Sequence, residues 1–121
     1  MSVSVRVTNN FKTALKPLLK KYPSLKNDLL RLEKELLNNP RHGTPLGHGA
    51  YKIRLKISSK GKGKSGGARV ISLLETTIVG QIDKVGDEIV VNLITIYDKA
   101  DTASINDKEL KELIKDFFKN G

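Results

Sequence analysis

Val3, Val5 and Val7 alternate with Ser4, Arg6 and Thr8, a period of two built on β-branched residues, which predicts a short strand with one buried face. Asn9 or Asn10 then caps a helix, because a short side-chain oxygen satisfies the free backbone N–H groups of a first turn. Phe11, Leu15, Leu18 and Tyr22 follow at helical spacing, and Pro17 is expected to kink or break that helix. Behind Pro23, Ser24 is a second cap, and Leu25, Leu29, Leu32 and Leu36 recur at intervals of four, three and four. They make one apolar stripe on a second helix that ends before Pro40. Its outer face, with Lys26, Asp28, Arg31, Glu33 and Lys34, reads as solvated surface.

The stretch from Asn38 to Gly49 has no period and reads as a surface loop. A strand comes next, with Tyr51, Ile53, Leu55 and Ile57 on one face and Lys52, Arg54 and Lys56 on the other. Residues 58 to 67 form a loop of Gly and Lys, and strand resumes from Ala68 to about Thr77. A turn over Lys84 to Asp87, with Gly86 suited to positive φ, leads to a last strand from Glu88 to Tyr97. Its run IVVNLITIY is nearly continuous in apolar residues, so it reads as a central strand covered on both faces. Asn106 and Glu109 make a capping box ahead of the stripe Leu110, Leu113, Ile114 and Phe117, a C-terminal helix. The order strand, helix, helix, strand, strand, strand, helix describes an α+β fold, one domain over residues 1–121, with helices packed on a mostly antiparallel sheet.

Composition leaves the fold class unchanged but narrows the function. The chain has 121 residues, 38% hydrophobic and 29% charged, enough for one core. Its 22 Lys and Arg against 13 Asp and Glu leave a net charge of +9, which attracts polyanions. The absence of cysteine excludes disulfides, thiolate metal sites and a cysteine nucleophile. The opening MSVSVRVTNNF does not read as a secretory signal and no apolar run is long enough to span a membrane, so the cytoplasm is the expected compartment. Binding to a membrane surface would use a basic amphipathic helix, whereas the densest basic region here reads as strand and loop.

That region holds seven cations within eighteen residues: Lys52, Arg54, Lys56, Lys60, Lys62, Lys64 and Arg69. Gly61, Gly63 and Gly66 satisfy the dinucleotide spacing, but that fingerprint must open a helix, and Arg69-Val70-Ile71 reads as strand. Gly63-Lys64-Ser65 imitates the end of a phosphate loop, yet Ser58 stands where such a loop needs glycine. What the segment does build is a row of cations on one strand face, able to neutralise successive phosphates and the charge that grows in phosphoryl chemistry. Arg69 sits across the hairpin from that row and suits a bidentate phosphate contact. His42 and His48, without acidic or cysteine companions, read as loop residues rather than a metal pair, although imidazole transfers protons near neutral pH. Tyr97 ends the last strand beside Asp98 and Lys99, and Asp98, Asp101 and Asp107 read as caps or surface. With three Tyr, three Phe and no Trp, a stacking platform for single strands is poorly supplied.

The run Tyr51-Lys-Ile-Arg-Leu-Lys-Ile, the segment Gly61-Lys-Gly-Lys-Ser-Gly-Gly-Ala-Arg69-Val-Ile and Leu93-Ile-Thr-Ile-Tyr97-Asp-Lys99 together resemble the RelE/HigB toxins of bacterial toxin–antitoxin pairs. The resemblance is closest to the HigB-like branch that carries a K-S-G-G-A-R-V-I core, and it implies a RelE-like small α+β fold. It further implies a metal-independent endoribonuclease without cofactor, an mRNA interferase that cuts translated mRNA on the ribosome and is held inactive by an antitoxin. Its chemistry is attack of a ribose 2′-OH on the adjacent phosphate, which restricts cleavage to RNA. By resemblance Arg69 binds the scissile phosphate, and Lys52, Arg54 and Lys56 lie on the strand that carries basic active-site residues in the family. Lys99 takes a basic position after the last strand, Tyr97 is a candidate for proton transfer or base stacking, and Lys60, Lys62 and Lys64 grip ribosomal or messenger phosphate. Some members carry a tyrosine beyond this point, where the present chain has Asp101-Thr-Ala-Ser-Ile105. Two other readings use the same charge: a ParE-like toxin of the same fold that inhibits DNA gyrase, and a non-catalytic basic RNA- or ribosome-binding domain.

Overall fold

A mixed five-stranded sheet in the order β1-β5-β4-β3-β2 separates two hydrophobic clusters, one under a pair of helices and one under a third. The computed structural model describes residues 2–60, 67–81, 84–102 and 104–120. The elements are β1 (Ser2–Val7), α1 (Asn9–Lys21), α2 (Leu25–Asn38), β2 (Thr44–Gly47), β3 (Ala50–Leu55), a short 3-10 turn (Ser58–Lys60), β4 (Ala68–Gln81), β5 (Lys84–Asp98) and α3 (Asp107–Asn120). The class is α+β, but the order of elements differs from expectation. An additional strand, β2, lies inside the presumed loop and pairs antiparallel with β3. It tolerates Pro45 because it is the sheet edge, where a missing N–H breaks no ladder.

The central strand conforms to its apolar run. β5 lies between β4, antiparallel, and β1, parallel, and every residue from Ile89 to Ile94 is buried. The pairing passes from Ile71 opposite Thr95 to Ser72 opposite Leu93, so Ile94 is an extra residue in β5. Leu93 and Ile96 therefore face α1 and α2, while Ile94 and Tyr97 face α3. The hairpin is longer than its pattern. Lys84–Asp87, expected to turn, continue β5 against Ile78–Gln81. Ladder hydrogen bonds outweigh the weak strand preference of Gly80 and Gly86 there.

Helix termini show where local signals were overruled. Thr8, the last residue of the expected strand alternation, caps α1: its hydroxyl accepts from the Phe11 N–H at 3.1 Å and donates towards the Leu93 carbonyl at 3.3 Å, while Asn9 and Asn10 are already helical. The helix runs through Pro17 unbroken. Thr13, whose carbonyl loses its partner there, is exposed, where solvent can reach that carbonyl. Asn106 and Glu109 exchange the two hydrogen bonds of the expected capping box at 2.8 and 3.3 Å.

Asp28 is the sharpest correction to the surface expected of α2. It is 1% exposed, and its carboxylate accepts from the Ser24 hydroxyl at 2.8 Å and from the Ser58 N–H and hydroxyl at 3.0 and 2.7 Å, with Arg31 at 3.3 Å. The Ser24 hydroxyl is thus spent on Asp28 and Ser59 rather than on capping. Together these bonds tie the start of α2 to the chain leaving β3. Burial alone would push the Asp28 carboxyl up; the hydrogen bonds from Ser58 and Ser24, with the Arg31 charge, override it and hold the group below its ordinary value.

A lowered carboxyl stabilises the fold above its unfolded-state titration and loses that contribution as pH falls through the folded one. Asp28→Asn should cost about 1–3 kcal/mol at pH 7. In urea titrations the gap between wild type and variant should be full at neutral pH and shrink once the pH drops below the ordinary value of 3.8. A gap independent of pH would show that the charge on Asp28 is not what stabilises this junction.

Candidate functional site

The period of two in β3 and the register of its neighbours bring the cations together. Arg54 lies directly opposite Arg69, and Lys52 opposite Ile71, so these side chains share the sheet face on which α3 packs. α3 covers that face only around Ala50, Ile71, Leu73 and Ile94. Beyond it opens a cleft of about 560 Å³ lined by His42, Gly43, Thr44, Lys52, Arg54, Arg69, Lys99 and Ser104. Four of these eight residues are fixed cations and none is a carboxylate.

Two close approaches set its walls. Gly43 has φ +110°, and a Cβ there would sit 2.6 Å from the Lys52 carbonyl oxygen, so the loop after α2 reaches β3 only with glycine. Gly67 has φ +60°, and a Cβ there would come within 2.5 Å of the Leu55 carbonyl oxygen; its own carbonyl accepts the Lys99 N–H at 3.0 Å. The chain entering β4 and the chain leaving β5 are thereby held against the end of β3. Arg69, 6% exposed, is the most deeply set of the cations, with Nη1 donating to the Ala68 carbonyl at 3.2 Å. Arg54 and Arg69 are direct partners across the β3–β4 ladder, which sets two guanidinium-bearing positions side by side on this face.

Asp98 is buried at the end of β5 rather than on a turn surface as expected. The Tyr22 hydroxyl donates to it, the Ala100 N–H reaches it at 2.9 Å, and the Lys21 ammonium stands 3.9 Å away. Hydrogen bonding with Tyr22, then the Asp101 and Asp98 charges, raises Lys21 above its ordinary value. This network moors the floor of the cleft to α1.

The structure thus gathers Lys52, Arg54, Arg69 and Lys99 in one cleft. Lys56 lies exposed beyond the end of β3 and does not line it. Tyr97, opposite Arg69, packs into the α3 cluster, and its oxygen accepts the Ile105 N–H at 3.4 Å; it lines a separate pocket of about 400 Å³ with Thr95, Glu109 and Glu112. Lys62 and Lys64 lie outside the described residues, as does the side chain of Lys60. His48 is exposed at the β2–β3 reversal with φ 57°, away from the cleft, whereas His42 lines it. Nothing in the sequence spacing separates the two histidines except that His42 precedes the glycine which touches β3.

Among the described residues no group of three or more His, Asp or Glu could hold a metal ion, and no helix is long and apolar enough to cross a membrane. No family model, curated protein or solved structure matches the chain.

If the cleft binds phosphates, affinity for a short single-stranded RNA should fall with salt along a log–log slope at least as steep as about −2.8, from roughly 0.7 per neutralised phosphate and four cations. Lys52→Ala or Arg54→Ala should each make it shallower by about 0.7. Slopes that these substitutions leave unchanged would remove the cleft from RNA binding.

Proposed function

We propose that the protein is an mRNA interferase of the RelE/HigB kind, with a RelE-like fold, that cuts translated mRNA on the ribosome and is restrained by a cognate antitoxin. The observation that carries this reading is the carboxylate-free cleft in which Arg54 and Arg69 face each other with Lys52 and Lys99 beside them. A phosphate in the cleft would take hydrogen bonds from guanidinium groups, whose planar fork suits its oxygens.

In the reaction the 2′-oxygen of a ribose forms a bond to the adjacent phosphorus while the bond to the 5′-oxygen of the next nucleotide breaks. The 2′-hydroxyl gives up its proton to solvent water, the departing 5′-oxygen gains one, and the products end in a 2′,3′-cyclic phosphate and a 5′-hydroxyl. Phosphorus passes through five-coordination, and negative charge grows on the non-bridging oxygens. Fixed cations already aimed at those oxygens stabilise that state more than the starting diester, which is the requirement for catalysis. Arg69 serves as the buried anchor, and Lys52, Arg54 and Lys99 supply charge from the open side. A ribosome, itself dense in phosphate, presents the message to the same positive surface.

Expression should arrest growth and yield cut mRNA with cyclic phosphate ends. Arg54→Ala, an exposed position, should lower cleavage on programmed ribosomes by about 10²–10³ with an unchanged melting temperature, and Arg69→Lys should impair it while retaining a buried cation. Full activity in both variants would sink the reading. Inhibition of gyrase supercoiling with intact mRNA would replace it by the gyrase-directed alternative, and salt-dependent ribosome binding without cleavage by the passive one.

A further inference from the structure

The cleft's fixed cations leave one requirement of the cleavage reaction unmet. The 5′-oxygen leaves as an alkoxide unless it is protonated, and guanidinium and ammonium groups hold their protons to about pH 12 and 10. They stabilise charge well and supply protons poorly near neutrality. Among the described residues that line the cleft, His42 alone carries a side chain of a kind suited to proton transfer at that pH.

Its placement is built rather than incidental. The His42 N–H donates to the Asn39 carbonyl at 3.1 Å just after α2. The next residue, Gly43, lies against the Lys52 backbone so closely that no other residue fits without a shift. Nε2 of the ring stands 3.6 Å from the Glu35 carboxylate on α2. Thus Glu35 faces His42 from its own helix, while Lys52 and Arg54 of β3, Arg69 of β4 and Lys99 after β5 share the cleft with it. With Nε2 turned to Glu35, Nδ1 is the nitrogen left for a substrate.

Resting on the cleavage reading above, we propose that His42 is the general acid of the reaction, protonating the 5′-oxygen as its bond to phosphorus breaks, and that Glu35 is a positioning residue that steers the ring. The proton passes from the imidazolium to the departing oxygen, and the neutral imidazole regains one from water before the next turnover. His48, exposed at the opposite reversal, takes no part.

The test uses an mRNA in which sulfur replaces the 5′-bridging oxygen at the phosphate that wild-type protein is first shown to cut on programmed ribosomes. A thiolate leaves without a proton, so only a general acid becomes dispensable. On the ordinary message His42→Ala should be slower than wild type by at least about 100-fold, with His48→Ala unaffected. On the sulfur message His42→Ala should match wild type. A His42→Ala variant that is equally slow on both messages overturns the assignment, since a structural or base-catalytic role is not rescued by sulfur. A variant that is equally fast on the ordinary message overturns it too, leaving cleavage itself intact. Should wild type leave the ordinary message uncut, the cleavage reading fails and this assignment with it.

Discussion

Side chains on a strand alternate with a period of two, so a one-residue slip of the ladder between β4 and β5 would turn the buried side chains to the wrong face. In this protein both faces of β5 are covered, which makes the constraint unusually severe. Val91 and Leu93 must meet α1 and α2, and Ile94 must meet α3. The extra residue at Ile94 resolves the conflict by changing the phase of the strand partway along. Arg69 falls opposite Tyr97 as a consequence of that register, and the adjoining β3–β4 ladder sets Arg54 opposite Arg69.

A face that concentrates like charge works against its own folding, and the opposition is met at the margins of the sheet rather than inside the cleft. Asp28 fastens the exit of β3 to α2, and Asp98 fastens the end of β5 to α1 through Tyr22. Both carboxylates are buried and well supplied with donors, the condition under which a buried charge is tolerated. They hold the strands that carry Arg54 and Arg69 at the cleft.

The cleft also joins two kinds of chemistry drawn from different parts of the chain. Three of its four cations, Lys52, Arg54 and Arg69, come from regular strands, and Lys99 from the turn that follows β5. Its one histidine comes from a loop pressed onto β3 by a glycine with no room for a side chain. Under the proposed reading, the fixed charge would stabilise the phosphorane-like state and the histidine would supply the proton.

How much of this was legible beforehand depends on the range of the forces involved. The amphipathic stripes of α2 and α3, the capping box at Asn106, the two-sided burial of β5 and the common face of Lys52 and Arg54 follow from periodicity and nearest-neighbour chemistry, which are written in consecutive residues. Hydrogen bonding at long range decided the rest. Thr8 took the cap of α1 because it also reaches the Leu93 carbonyl, and Asp28 was buried because Ser58, thirty residues away, supplies two donors. Lys84–Asp87 became strand because Ile78–Gln81 offered a ladder. By itself the sequence determined the helical stripes, the central strand and a dense basic segment, through local pattern. Only the tertiary structure decided that Arg69 and Lys99 join that segment's Lys52 and Arg54 in one cleft, that Tyr97 turns to α3 instead, and that His42 rather than His48 stands at its edge, because cross-strand register and a single backbone contact are properties of no contiguous stretch of chain.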